Sequence, residues 1–242
     1  MKNECGWIAL AGSSPCRDHL TRSEKADWLI IGAGITGLSA AHSLAELHPE
    51  ARIVVVDRQR AAQGASARNS GYAVAHENPG DDELIGKSGF SGFAVDSSIG
   101  QAAGEEVRMR IARHGIECEY RDSGYYFAVN DPGKLNHVEA KLKTLSAVGA
   151  SAQFLEGKQL AQKLGTRHYQ AAIWCGNGNA LLQPAKYVKG LLDSLPANVT
   201  LFENTEITGL ERLSGGRIRA AGTQGSICLL YTSPSPRDMR RS

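Results

Sequence analysis

The first strong pattern in the chain is a short apolar run, WLII, which follows Asp27 and ends at Gly32. A run this short and continuous is typical of a buried parallel strand. The segment LSAAHSLAEL (38–47) is rich in helix formers and is followed closely by Pro49, which disfavours helical geometry in the residue before it. Arg52–Asp57 is a second β-branched run that ends in an acid. Strand, helix and strand within about thirty residues predict a βαβ unit.

The remaining pattern predicts a mixture of further helices and strands. Residues 1–26 have weak periodicity, and we expect a loosely ordered lead-in there. The expected helices are Ile99–His114, one from Asp131-Pro132 to about Val148, Lys158–Leu164 and Pro184–Leu195. The expected strands are Glu117–Val129, Tyr169–Cys175 and Val199–Leu210.

Composition narrows the class of protein. The 242 residues are 42% hydrophobic, and 27 Lys and Arg face 25 Asp and Glu for a net charge of +2, which argues against intrinsic disorder. So small a charge gives no electrostatic case for nucleic acid or an anionic membrane as the main partner. No apolar run approaches the roughly 20 residues of a membrane span. The five cysteines form no CxxC pair, so we expect neither a disulfide framework nor a metal site, and we expect a cytoplasmic protein.

The candidate chemistry begins at the turn between the first strand and helix, GAGITG (32–37). Glycine at position 32 allows a tight turn, glycine at 34 lets the backbone approach a pyrophosphate, and glycine at 37 lets the helix pack on the strand. Asp57 follows Gly37 by 20 residues, where a carboxylate can accept hydrogen bonds from ribose hydroxyls. The adjacent Arg58 could suggest a 2′-phosphate, but the Asp57 carboxylate would repel that group. The pattern therefore predicts a dinucleotide with a free adenosine ribose, and it does not separate FAD from NAD.

A second glycine-rich segment, GASARNSG (64–71), follows soon after. Its small residues, backbone amides and guanidinium could wrap another part of the same cofactor. A solvated polar turn with Arg68 exposed explains the same residue types equally well. The residues alone leave both interpretations open.

The segments DWLIIGAGITGLSAAHSLAEL, RIVVVD and GASARNSG together resemble the start of an FAD-dependent oxidoreductase of the D-amino-acid-oxidase-like superfamily. The chain is most similar to amine and amino-acid oxidoreductases of the gamma-glutamylputrescine oxidase type. LLQPAKYVKGL (181–191) resembles the family's helix that returns to the FAD domain, and FENTEI (202–207) resembles the strand after it. The resemblance runs from about Trp7 to about Gly222.

The resemblance also implies the residues that would contact FAD. Pyrophosphate and phosphate contacts would come from Gly32, Gly34, Ile35, Thr36, Gly37, Ala65 and Ser66. The adenosine would be bordered by Asp57, Arg58 and the backbone near Ile207, and the ribityl chain by Arg68, Asn69, Ser70 and Gly71. Ala67 departs from the family, where glycine is commoner, and we expect little effect unless the residue needs positive φ. No catalytic residue is assigned.

By this resemblance the intact enzyme would oxidise a small amine or amino acid by hydride transfer to flavin N5. Two alternatives remain. An NAD-dependent dehydrogenase would share the βαβ opening and leave GASARNSG without a role, and a truncated fragment would have no catalytic activity.

The resemblance implies an α/β fold in which a Rossmann-like FAD-binding domain is interrupted by an α+β substrate domain. We expect the FAD-binding domain in 27–116 and 181–227, and part of the substrate domain in 117–180. The stretch from Cys228, CLLYTSPSPRD, resembles the translation of an adapter used in DNA sequencing libraries. We therefore expect a C-terminally truncated enzyme with an artefactual tail at 228–242, lacking the apolar strand that should follow Arg217–Ser226.

Overall fold

The computed structural model describes residues 5–12, 14–176 and 178–229. The chain divides into two compact units. The first unit is discontinuous and comprises Met1–Asn69 and Pro184–Ser242, whereas the second comprises Ser70–Gln183. This arrangement agrees with the expected α/β domain that is interrupted by a second domain.

The elements are numbered along the chain. The helices are α1 (Gly6–Ala11), α2 (Ile35–Leu47), α3 (Phe90–His114), α4 (Leu135–Ala147), α5 (Gly157–Leu164) and α6 (Pro184–Asp193). The strands are β1 (Ser23–Ala26), β2 (Trp28–Ile31), β3 (Ile53–Val56), β4 (Tyr72–Ala73), β5 (Tyr125–Val129), β6 (Ala152–Glu156), β7 (Ala171–Cys175), β8 (Ala180–Leu181), β9 (Val199–Phe202), β10 (Ile207–Arg212), β11 (Ile218–Gly222) and β12 (Ser226–Leu229).

The centre of the first unit is a parallel sheet with the order β2-β3-β9. All four residues of β3 are β-branched and fully buried. In register, Ile31 pairs with Val56, and Val56 with Phe202. The carboxyl ends of the three strands therefore meet at one edge, which is where ligands bind in open α/β sheets.

Helix α2 connects β2 to β3 and completes the predicted βαβ unit. Its buried residues, Leu38, Ala41, His42 and Ala45, share one face of the helix. The Nε2 atom of His42 lies 2.9 Å from the carbonyl oxygen of Leu191 in α6. A buried polar contact thus connects α2 to α6.

The N-terminal segment is better ordered than its weak periodicity suggests. It contains α1 and β1, and β1 pairs in parallel with β12 in a second sheet of order β1-β12-β11-β10. Leu20 and Ala26 belong to the core between the sheets, together with Val54 and Ile227. The prediction that residues 1–26 are loosely ordered is therefore wrong for the described part of that segment. Its order comes from the pairing of β1 with β12, which lies far away in the sequence.

The expected strand Val199–Leu210 is two strands that belong to different sheets. The chain turns after Phe202, and Asn204 has a φ of 49°. The buried Glu203 carboxylate accepts hydrogen bonds from the backbone N–H groups of Arg17 (2.9 Å) and Ala61 (2.9 Å). These hydrogen bonds to distant residues hold the turn between β9 and β10, and no local sequence pattern shows them.

The second unit is built on an antiparallel sheet of order β5-β7-β6. Strand β6 has no counterpart among the expected strands. Phe93 of α3 packs in one buried cluster with Val129, Val138 and Ile173, which come from β5, α4 and β7. Since this packing joins α3 to the sheet, the compact units divide after Asn69 rather than at the expected boundary after residue 116.

Helix α3 begins at Phe90, nine residues before the expected start at Ile99. The apolar strand expected to be missing after Arg217–Ser226 is present as β12, which includes Cys228 and Leu229. The rest of the suspected tail, residues 230–242, lies outside the described residues. Among the helices that the structure describes, none has the length and apolar character to cross a membrane.

Glu24 of β1 provides a test of how this N-terminal strand is held. Its carboxylate is buried and accepts hydrogen bonds from the guanidinium groups of Arg22 (2.8 Å) and Arg52. We expect Glu24→Gln to lower the free energy of unfolding at pH 7 by about 0.5–1.5 kcal/mol, because both arginines are substantially exposed. Urea unfolding measures the difference. Glu211→Gln, which breaks an exposed pair with Arg219, is the control and should change less.

The same substitution has a pH signature. The hydrogen bond from Arg22 is the largest cause that lowers the pKa of Glu24 below its usual 4.5, burial opposes it, and the Arg52 hydrogen bond adds to the lowering. The stabilisation is complete above pH 4.5 and is lost as the pH falls through the lowered value. The difference between the parent and Glu24→Gln should therefore narrow below pH 4.5. A constant difference from pH 7 to pH 3 would contradict this assignment.

Candidate functional site

The glycine turn after β2 lies at the carboxyl edge of the parallel sheet. Gly32 has a φ of 106°, a conformation that side chains with a Cβ rarely adopt, and its N–H donates to the carbonyl of Val56 at 2.7 Å. A Cβ on Gly37 would lie 1.9 Å from the carbonyl oxygen of Gly32 and 3.2 Å from Cγ2 of Ile30. Glycine is therefore required at 32 for the turn and at 37 for the approach of α2 to β2.

The amino end of α2 is in contact with the second glycine-rich segment. Helix α2 begins at Ile35, so its first backbone amides have no acceptor within the helix. The Oγ of Ser66 accepts a hydrogen bond from the N–H of Ile35 at 3.1 Å. A Cβ on Gly34 would lie 2.7 Å from the same Oγ. The structure thus brings together Gly34, Ile35 and Ser66, three of the residues predicted to contact phosphate.

Asp57 follows β3 at the same edge. One carboxylate oxygen accepts a hydrogen bond from the N–H of Ala33 (2.8 Å), and the other accepts one from the N–H of Gln59 (2.8 Å). These amides hold the carboxylate against the glycine turn. Because each carboxylate oxygen can accept more than one hydrogen bond, Asp57 can still accept bonds from ribose hydroxyls. Ala33 and Gln59 act through their backbones, so no residue-type pattern could have identified them.

The other predicted contacts in the first unit are more exposed. Thr36 and Arg58 have exposed side chains. Arg68 and Asn69 are also exposed, and they donate to the backbone carbonyls of Gln63 (2.8 Å) and Ser66 (2.9 Å) respectively. The segment from Gly64 is therefore closed on itself by its own side chains.

The departure at position 67 is accommodated by the fold. Residues Ala65–Ala67 form a single 3-10 turn, and Ala67 is not among the described residues with positive φ. Its methyl group is fully buried in a cluster with Ile8 and Ala185. A glycine is thus not needed there for backbone reasons.

Three predicted contacts belong to other parts of the fold. Ser70 and Gly71 belong to the second unit, where the carbonyl of Gly71 accepts a hydrogen bond from the N–H of Leu182 at 2.9 Å. Ile207 begins β10 in the second sheet of the first unit, and its side chain packs toward the core. The segment before it does reach the edge, since the N–H of Thr205 donates to the carbonyl of Asp57 at 2.7 Å.

Together these residues form a cradle with the properties that a nucleotide diphosphate requires. The first amides of α2 and the positive end of its dipole favour an anion. Gly34 presents no Cβ at this point, and the Asp57 carboxylate is fixed next to the turn. The residues present therefore fit the adenosine and pyrophosphate part of a dinucleotide.

The second unit contains a separate cavity beside His76. It has a volume of about 350 Å³, and its polar lining residues include Gln101, Arg108, Tyr120 and Asp122. His76 is 2% exposed, and its Nε2 lies 2.8 Å from the amide nitrogen of Gln101. Since an amide nitrogen only donates, this Nε2 accepts, and the ring proton resides on Nδ1. The structure thus buries His76 beside this cavity.

The aromatic residues 125–127 lie in β5. Tyr125 and Phe127 pack against the cluster that contains Phe93, and Tyr126 packs against Leu155 and Leu160. The three aromatic side chains therefore pack against the two buried clusters of the second unit.

Comparison with known proteins places these features in context. A family model described as "FAD dependent oxidoreductase" matches residues 27–229. The gamma-glutamylputrescine oxidoreductase of Escherichia coli K12 is 28% identical over 216 residues, which cover 88% of this chain and 49% of that protein. The chain therefore spans about half the length of the curated relatives it matches.

Solved structures share the fold at low sequence identity. The L-amino acid deaminase of Proteus myxofaciens superposes with a TM-score of 0.69 at 18% identity, over 88% of this chain and 46% of that one. The L-alpha-glycerophosphate oxidase of Mycoplasma pneumoniae, solved with FAD bound, gives a TM-score of 0.66 at 16% identity, over 84% of this chain and 52% of that one. The fold therefore does not by itself decide the substrate.

The close approach of α2 to β2 provides a test of the site's architecture. We expect Gly37→Ala to lower the free energy of unfolding by about 1–3 kcal/mol, because the new methyl group meets a backbone oxygen that cannot move independently. Gly64→Ala is the matched control, since its Cβ has nothing within 4 Å and its φ is −84°. Denaturant unfolding of both variants checks the prediction. Equal stability of the two variants would contradict the described packing.

The burial of His76 predicts that the stability of the second unit falls in acid. Burial lowers the pKa of His76 below its usual 6.5, so the unfolded chain binds a proton more readily than the folded one. Stability should therefore fall as the pH decreases below about 6.5, and His76→Asn should show a weaker fall. Unfolding measured between pH 7.5 and 5 tests this, with the exposed His168→Asn as the control. An unchanged pH profile in His76→Asn would contradict the prediction.

Proposed function

This chain belongs to the family of FAD-dependent oxidoreductases, and on that premise we propose that the intact protein oxidises a small amine or amino acid. FAD is the cofactor of the family, which favours FAD over the NAD alternative. The amine or amino-acid substrate is supported by the gamma-glutamylputrescine oxidoreductase relative.

The observation that carries the proposal is the cradle of Gly34, Ile35 and Ser66 beside Asp57. The amides at the start of α2 would bind the pyrophosphate, and Asp57 would orient the adenosine ribose. The exposed guanidinium and amide of Arg68 and Asn69 would continue along the ribityl chain. When bound, FAD would supply the oxidant by accepting a hydride at N5 from the carbon that bears the substrate nitrogen.

We propose that these 242 residues provide the nucleotide-holding part of that site together with part of the substrate domain. This division is supported by the match to about half the length of the relatives. No residue of this chain is assigned to the chemical step. The second alternative, a truncated fragment without catalytic activity, is compatible with this division.

The cradle predicts a clear effect of a bulky residue at position 34. We expect the chain, reconstituted with FAD and desalted, to retain a flavin absorption spectrum, and Gly34→Val to weaken FAD binding by about tenfold or more. The single variant Ser66→Ala measures the contribution of the Ser66 hydroxyl to FAD binding separately. Gly209→Val, at a position whose Cβ has nothing within 4 Å, is the control.

Two outcomes would contradict the proposed function. The first is a chain that folds but retains no flavin, and the second is a Gly34→Val variant that binds FAD like Gly209→Val. The substrate class has its own readout. In a form of the protein that completes the reaction, anaerobic addition of amines or amino acids should bleach the flavin absorption, and glycerol 3-phosphate should not. The reverse selectivity would overturn the amine proposal.

A further inference from the structure

One buried methyl group anchors the second glycine-rich segment in the core of the first unit. Of residues 63–69, all of which the structure describes, only Ala67 is buried. Its methyl group packs in a cluster with Ile8 of α1 and Ala185 of α6. The short helix α1 therefore packs against the same segment that supplies Ser66 to the cradle.

Ser66 and Ala67 are adjacent in one 3-10 turn, which links their positions. The N–H of Ala67 donates to the carbonyl of Gly64 at 3.1 Å, and this hydrogen bond closes the turn. The side chain of Ala67 lies in the cluster with Ile8. The Oγ of Ser66 accepts a hydrogen bond from the N–H of Ile35 at 3.1 Å. Because the turn is short and closed, a displacement of Ala67 also displaces the Ser66 hydroxyl.

The residues just before this turn are held by the same N-terminal part of the chain. Ala62 has a φ of 60°, a left-handed conformation that residues with a Cβ rarely adopt, and its side chain packs against the cluster that contains Ile8. Arg60 donates a hydrogen bond to the backbone carbonyl of Ser14. An unfavourable backbone conformation persists only where its surroundings hold it. Contacts from the N-terminal part therefore keep residues 60–67 in place.

Within α1 the buried side chain is that of Ile8, and the space beside it would let the turn move if that side chain were shortened. A cavity of about 180 Å³ is lined by Ile8, Ala62 and Lys189, among other residues of the first unit. Shortening Ile8 would enlarge this space, and neighbouring groups shift to recover lost contacts. Leu10, two residues later on α1, is 73% exposed and lies outside the cluster. The two positions of one helix therefore form a matched pair for substitution.

From these contacts we propose that Ile8 is a positioning residue for FAD, an inference that rests on the proposed function of the cradle. By packing with Ala67, Ile8 keeps the Ser66 hydroxyl on the N–H of Ile35, at the amino end of α2 where the pyrophosphate would bind. Ile8 acts through the turn and not by contact with the cofactor. The cradle is then ordered before FAD binds, which reduces the freedom that is lost on binding.

Amide hydrogen exchange in the full chain without cofactor tests the positioning directly. We expect Ile8→Ala to speed the exchange of the Ile35 amide by about threefold or more, because its acceptor, the Ser66 hydroxyl, is displaced. The Leu38 amide, whose acceptor is a backbone carbonyl 2.9 Å away, should keep the rate of the parent chain. Leu10→Ala is the control on the same helix, and it should change neither amide.

Two results of the exchange experiment would overturn the proposal. Equal acceleration at Ile35 and Leu38 would mean that Ile8→Ala only lowers the stability of the unit. An unchanged rate at Ile35 would mean that the packing of Ile8 does not position the hydroxyl. Ile8→Val shortens the side chain by one carbon, so it should give a smaller change at Ile35 in the same direction, and it replaces Ile8→Ala if that variant does not fold.

FAD affinity connects the positioning to the proposed function. In titrations of the full chain followed by flavin fluorescence, Ile8→Ala should weaken FAD binding by about three- to tenfold, the effect expected when one hydrogen-bonding group is misplaced. In the Ser66→Ala background the same substitution should change the affinity by at most about twofold, because the group that Ile8 positions is already absent. Losses that multiply fully in the double variant would overturn the proposal. A parent chain that folds but binds no FAD would contradict the proposed function, whereas the exchange rates would still decide whether Ile8 positions Ser66.

Discussion

The contact between Gly37 and the carbonyl oxygen of Gly32 governs the arrangement of the first unit. Because a Cβ at position 37 would lie 1.9 Å from that oxygen, α2 can lie this close to β2 only when the residue is glycine. The approach directs the amino end of α2 to the same edge of the sheet at which β3 ends. Asp57 and Ser66 can then each bond to an amide of the glycine turn or of the helix that follows it.

Polar groups at the ends of the strands perform structural and binding roles together. The Asp57 carboxylate holds the glycine turn by accepting a hydrogen bond from the N–H of Ala33. The backbone carbonyl of Asp57 accepts a hydrogen bond from the N–H of Thr205. Ser66 connects the second glycine-rich segment to α2 through Ile35. The cradle is therefore organised by hydrogen bonds within the protein, so FAD would meet groups that are already oriented and would lose less freedom on binding.

The sequence predicts those parts that depend on local pattern. The βαβ unit, its glycines and Asp57 were predictable because strand, turn and helix signals follow one another within about thirty residues. The break in the chain after Phe202 was not predictable from the sequence. It depends on hydrogen bonds that the Glu203 carboxylate accepts from backbone N–H groups 186 and 142 residues away. The early start of α3 was also missed, since it depends on packing at Phe93 that no periodicity shows.

The pairing of β1 with β12 has a consequence for synthesis. Ser23 and Ser226 are 203 residues apart in the chain, yet their hydroxyl groups lie 3.0 Å from each other. At about 5–20 residues per second, a ribosome needs roughly 10–40 s to make the intervening chain. During that interval β1 has no strand partner, whereas the synthesis of Ser70–Gln183 is finished before Ser226 is added. All residues of the continuous unit are therefore available for folding before the discontinuous unit can be completed.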